Sequence, residues 1–175
     1  FENLLIYNNN AYDGGAIKII GSNINIINST VVNNTSSNTF GNNSGNIFLH
    51  GSNSNLKVIN SIINNDAEYE MVQAYGSANQ ITVEYSMIQD GLGGLIQGHS
   101  VNWGIGNIDS DTLFVDTANG DYRLSNFSPC IGAGLDTSIV PTTDLDGNLR
   151  PNPAGSNPDM GAYENLLATY DILGC

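Results

Sequence analysis

Gly51-Ser52-Asn53-Ser54-Asn55-Leu56-Lys57-Val58-Ile59-Asn60-Ser61-Ile62-Ile63-Asn64-Asn65 occurs in this chain in three versions. Gly21 to Asn34 (GSNINIINSTVVNN) repeats it with one residue fewer, and Gly76 to Asp90 (GSANQITVEYSMIQD) repeats it again. The opening Asn3-Leu4-Leu5-Ile6-Tyr7-Asn8-Asn9 matches its second half. The shared register residue falls at Asn3, Asn28, Asn60 and Tyr85, so the spacings are 25, 32 and 25 residues. Self-similarity at such a period signals an array of stacked units.

Each unit is preceded by a short apolar segment: Ala16 to Ile20, Asn46 to His50, Met71 to Tyr75, and a fourth at Leu95 to His99. Strand side chains alternate between two faces. Aligning the segments on their apolar residues gives an inward column of Ile17, Ile47, Val72 and Ile96, followed by Ile19, Leu49, Ala74 and Gly98. Lys18, Phe48, Gln73 and Gln97 then point outward, with Ile20, His50, Tyr75 and His99 beyond them. In the second strand Ile24, Leu56, Ile81 and Ile26, Val58, Val83 face in, while Asn25, Lys57 and Thr82 face out. A third short strand holds Val31, Ile63 and Ile88. Three β-branched strands per roughly 25 residues, with Gly, Asn and Ser at the corners, predict an all-β parallel β-helix. Its coils would stack about 4.8 Å apart. Stacked Asn28/Asn60 and Asn33/Asn64 side chains are expected to form ladders. An antiparallel sandwich also uses short strands, but it has no reason to repeat whole units in register.

The chain has 175 residues and a formal charge of -13, from four Lys and Arg against 17 Asp and Glu. Binding to nucleic acid or to an anionic membrane depends on Lys and Arg, so neither is expected as a partner. No run of about 18 apolar residues is present to span a bilayer. Phe1 falls within a unit, so further coils are expected upstream, in a monomer or as part of a longer chain. Cys130 and Cys175 are the only cysteines, and their sequence leaves open a disulfide or two separate thiols.

Beyond about Gly104 the units fade. This reading divides the chain into coils over 1–103 and, within the same domain, a degenerate coil and C-terminal cap over 104–175. A solenoid end is an unpaired edge that needs covering. The run Asn107-Ile108-Asp109-Ser110-Asp111-Thr112-Leu113-Phe114-Val115-Asp116, the later Ser128-Pro129-Cys130-Ile131-Gly132-Ala133-Gly134, then Thr143-Asp144-Leu145-Asp146-Gly147-Asn148-Leu149-Arg150-Pro151 and Pro158-Asp159-Met160-Gly161-Ala162-Tyr163-Glu164 carry a family pattern. It resembles the C-terminal region of secreted right-handed parallel β-helix repeat proteins of the Bacteroidetes surface type, which end in variable anchoring or sorting tails. The resemblance implies the handedness, export and an extracellular or cell-surface location. It implies function weakly, because the family includes lyases, glycosidases and adhesin-like proteins.

The outward column His50, Tyr75 and His99, flanked by Phe48, Gln73 and Gln97, is the expected ligand-binding surface, for polysaccharide or cell-surface glycan. Rings supply apolar area to a sugar, and Gln and His supply hydrogen bonds. An enzyme of the same fold, a polysaccharide lyase or glycoside hydrolase, is the alternative. Its carboxylates would come from Glu70 with Asp13 or Asp90. No cofactor is expected beyond a possible structural calcium at Asp144, Asp146 and Asn148. That loop has acidic spacing but lacks the full EF-hand ligand set. The competing expectation for it is an Asp-Gly hairpin, with Arg150 paired to Asp144, Asp146 or Asp159.

Overall fold

The structure is a computed structural model that describes residues 1–37, 44–65, 69–74, 78–96 and 100–166. It is all-β apart from two 3-10 turns at Gly91–Gly94 and Thr117–Asn119. The chain lays down its strands in successive passes. The first pass gives β1 (Leu5–Tyr7) and β2 (Asn10–Ala11); the second gives β3 (Ile17–Ile20), β4 (Asn23–Ile27), β5 (Thr30–Val32) and β6 (Thr35–Ser36). The third gives β7 (Ser44–His50), β8 (Asn55–Ile59) and β9 (Ile62–Asn64), and the fourth β10 (Tyr69–Ala74), β11 (Gln80–Glu84) and β12 (Met87–Ile88). Then come β13 (Leu95–Ile96), β14 (Ser100–Trp103) and a hairpin of β15 (Phe114–Asp116) and β16 (Asp121–Leu124).

These passes build three four-stranded sheets, all parallel, in the orders β3-β7-β10-β13, β4-β8-β11-β14 and β1-β5-β9-β12. β2 and β6 form a further parallel pair, and β15–β16 is antiparallel. In the second sheet Ile24, Leu56, Ile81 and Val101 stand in one column, and Ile26, Val58, Val83 and Trp103 in the next. Ile6, Val31, Ile63 and Ile88 form the column of the third. Together with Ile19, Ile47, Leu49, Met71 and Leu95 of the first sheet they make one apolar core.

The register residues of the sequence are corners. Asn3, Asn28, Asn60 and Tyr85 all adopt left-handed backbone, with φ of 50, 44, 50 and 47°. Asn tolerates this conformation better than other residues with a Cβ. Gly106 (φ 74°) takes the next corner, where a Cβ would lie 2.4 Å from the Tyr85 ring. The residue after each corner carries the side-chain ladder. The N–H of Leu4 donates to Ser29 Oγ, that of Ser29 to Ser61 Oγ, that of Ser61 to Ser86 Oγ, and that of Ser86 to Asn107 Oδ1, each at 3.1 Å. Each serine hydroxyl then donates to the carbonyl two residues back, at Ile27, Ile59 and Glu84. Of the expected asparagine ladders, Asn60 Nδ2 reaches Asn28 Oδ1 only at 3.5 Å. Asn33 and Asn64 turn away to Tyr122 and Thr112.

Ser61→Ala removes the acceptor of the fully buried Ser29 N–H. A stranded buried donor costs roughly 1–3 kcal/mol, which in a chain this long lowers Tm by about 2–4 °C per kcal/mol. A thermal melt within 1 °C of wild type would show that the ladder adds nothing.

Two expectations are corrected here. In the first sheet Ile17 pairs with Ile47 as expected, but Ile47 pairs with Met71 and Met71 with Leu95. A register irregularity between Tyr69 and Met71 moves β10 by one residue relative to the sequence alignment, and a one-residue slip exchanges the two faces of a strand. The inward column is therefore Ile17, Ile47, Met71, Leu95. The second correction concerns the tail, which lies along the side of the third sheet. That sheet is buried on both faces: Thr30, Val32, Ile62 and Met87, opposite the core column, are also buried. Tyr122, Leu124, Cys130 and Met160 of the tail pack on them. Gly161 N donates to Asn60 O (2.7 Å), Ala162 N to Thr30 Oγ1 and Leu135 N to Asn60 Oδ1. Asn28 Nδ2 donates to Asp159 O and Asn3 Nδ2 to Thr143 O. The corner asparagines thus bind the tail with their side chains, including those of Asn28 and Asn60, which the ladder reading stacks on one another. At Gly161 (φ 93°) a Cβ would come within 2.8 Å of both Ile62 and Thr30, so only glycine fits between tail and sheet.

Candidate functional site

The register of the first sheet does not align Gln73 with Phe48 as expected. Phe48 is paired with Lys18 and Val72, and His50 with Ile20 and Ala74. Gln73 takes the register position of Leu49, in the other column. Tyr75, Gln97 and His99 lie outside the described residues. Phe48 itself is only 5% exposed. Its ring stacks on His50, with centroids 5.9 Å apart, and Lys18 Nζ sits 5.6 Å above it, held by Asp13 at 2.7 Å. Phe48 is the apolar floor of a small cluster, with too little exposed ring for a sugar to stack on. The carboxylates expected for catalysis are also separated in role: Asp13 binds Lys18, while Glu70 is buried and accepts the Asn65 N–H at 2.8 Å.

The Asp144–Asn148 loop is a hairpin. Thr143 and Leu149 form an antiparallel bridge, and Gly147 N donates to Asp144 O. Asp144 Oδ1 accepts the N–H groups of Asp146 and Asn148, and Oδ2 accepts Asn148 Nδ2 and the N–H of Glu164. Asp146 is engaged by Arg123 at 2.7 Å. Both Asp144 carboxylate oxygens and Asp146 Oδ2, expected as calcium ligands, therefore face N–H donors. Among the described residues no group of three or more His, Cys, Asp or Glu is disposed to hold a metal ion.

The partner of Arg150 is Glu164, with Nε to Oε1 at 3.0 Å and both side chains fully buried. Arg150 Nη2 donates to Gly161 O, whereas Nη1 has no acceptor among the described residues. Glu164 also accepts the N–H of Asp159 and of Asn152, and Asp159 accepts those of Gly132 and Asn165. Burial, reinforced by the neighbouring Asp159, pushes the Glu164 carboxyl up to about 7. Burial also raises Asp159 and lowers Arg150. Outside this cluster Arg123 bridges Asp146 and Asp121 and lies 4.9 Å from the centre of the Tyr163 ring. Among the described residues the Cys130 thiol has no disulfide partner, and burial drives it up to about 12, which suits a packing residue rather than a nucleophile.

Where tail and third sheet diverge they leave an open cleft of about 410 Å³, walled by Asn33 and Asn64 on one side and Asp111, Leu113, Phe114 and Tyr122 on the other. A second hollow of about 390 Å³ continues it past Asn64 and Asp111 to Gln89, Asp109 and Ser110. Asn33 and Asn64 are held by Tyr122 Oη and Thr112 Oγ1, each at 3.0 Å. Tyr122 meets Phe114 edge-on in this wall and Tyr7 at a tilt, with centroids 5.4 and 5.2 Å apart. Leu113 stands on the rim in left-handed backbone (φ 53°), its N–H capped by Asp111 Oδ1. The lining contains no Lys or Arg. Sequence reasoning missed this cleft because its two walls come from segments up to 89 residues apart. No family model, curated protein or solved structure matches this chain.

Proposed function

We propose that the chain is a module of a right-handed parallel β-helix, exported to the cell surface, that binds neutral glycan in the cleft between Asn33/Asn64 and the 109–122 segment. Three parallel sheets filled in turn by successive passes of the chain support the β-helix reading. The cleft carries the binding reading, because it joins amide and carboxylate groups to the exposed edge of Leu113 and the Phe114 ring in one concave surface. That mixture suits the hydroxyls and C–H faces of a sugar. A lining with Asp109 and Asp111 and without cations, in a chain of net charge -13, disfavours uronate and sulfated polymers. A glycan array on the intact protein, scored for retention and for cleavage, tests this. Retention of neutral oligosaccharides, weakened at least about tenfold in Kd by Asp111→Ala and left alone by His50→Ala, is expected. The reverse pattern would return the site to the first sheet, cleavage would favour the lyase or glycosidase reading, and no retention would end the binding reading.

A further inference from the structure

We propose that the buried cluster of Arg150, Asp159 and Glu164, backed by Asp144, is a pH-sensitive latch that holds the 158–162 segment against the third sheet. The groups facing Glu164 are the Arg150 guanidinium at 3.0 Å, Asp159, whose N–H it accepts, and Asp144, whose Oδ2 receives the Glu164 N–H. Three carboxylates meet one guanidinium, all in buried residues. If every acid ionises, the cluster carries two uncompensated negative charges away from water, which is expensive. A single proton on the Asp159–Glu164 pair removes half of that excess, consistent with the upward displacement of both groups.

The cluster sits where the tail grips the sheet. Asp159 O receives Asn28 Nδ2, Gly161 N donates to Asn60 O, Ala162 N donates to Thr30 Oγ1, and Arg150 Nη2 holds Gly161 O. It also anchors the cleft wall, since Asn165 bonds both Asp159 Oδ2 and Leu124 O. An acid with a higher pKa in the fold than in the unfolded chain binds its proton more tightly when folded. Its contribution is complete below the ordinary Glu range and is lost as pH rises through about 7. The latch is therefore closed in mild acid and weakened in mild base.

Thermal unfolding of the full chain from pH 5 to 8.5 tests this, for wild type and Glu164→Gln, with EDTA and with calcium chloride. The wild-type Tm is expected to fall by about 5 °C between pH 5 and 8, and Glu164→Gln, which cannot ionise, loses most of that slope. Parallel slopes in the two proteins overturn the latch. So does a wild-type slope that calcium abolishes, because the cluster would then be an incomplete metal site. If Glu164→Gln does not fold, amide exchange on wild type decides. The amides of Gly161 and Ala162 should lose about tenfold in protection relative to Val58 between pH 5.5 and 8, after correction for intrinsic rates. Equal protection at both pH values overturns the proposal.

Discussion

Val58→Asp abolishes cooperative folding. Val58 is fully buried and stands in register between Ile26 and Val83, with apolar neighbours in its column and no cation among the residues packed in that core. An unpaired carboxylate there costs several kcal/mol even after it takes up a proton, against a total stability of about 5–15 kcal/mol for an ordinary domain. The expected result is insoluble protein, or far-UV circular dichroism with no thermal transition above 25 °C. Lys57→Asp is the control one residue away. Its side chain faces out and pairs with Glu84 at 3.2 Å, an exposed contact worth at most about 1 kcal/mol. A Val58→Asp protein melting within 5 °C of wild type would mean that the inward column is wrongly assigned.

Ile62→Asp is nearly as damaging and distinguishes the two faces of the third sheet. Alternation alone assigns Ile62 to the outside, because its neighbour Ile63 belongs to the core. In the structure Ile62 is 1% exposed and packs beneath Met160 and Gly161. Loss of its apolar contacts costs about 2–5 kcal/mol, and the buried charge adds to that. The expected lesion begins in the tail: limited proteolysis cuts within 130–165 at a temperature where the wild type is resistant, and dye binding reports the uncovered face of Val32, Met87 and position 62. A variant as protease-resistant as wild type would remove the tail from that face.

Both substitutions touch the same short unit, and the sequence reads them differently. The periodic placement of Leu56, Val58, Ile63 and their copies is sufficient to orient the second and third strands, because each in-register column must be apolar for stacked strands to exclude water. The runs Thr30-Val31-Val32 and Ile62-Ile63 are buried on both faces, although the sequence columns take only Val31 and Ile63 inward. They did not say what covers the second face. In the first strand the apolar residues are less regular: Met71 and Val72 are both acceptable inward, and only the irregularity near Tyr69 chooses Met71. That choice moves Gln73 from the register position of Phe48 to that of Leu49.

The sequence by itself determined the passes, their corners at Asn3, Asn28, Asn60 and Tyr85, and the inward columns of two sheets. These follow from near-neighbour rules that recur at a fixed spacing, so each copy corroborates the others. The tertiary structure alone decided that the tail binds the corner asparagines, that Arg150 pairs with Glu164 inside a surplus of buried carboxylates, and that a cleft opens beside Asn64. Those features join segments that no repeat relates. Their partners are selected by burial and hydrogen-bond satisfaction across 14 to 140 residues of chain, and no local pattern records that selection.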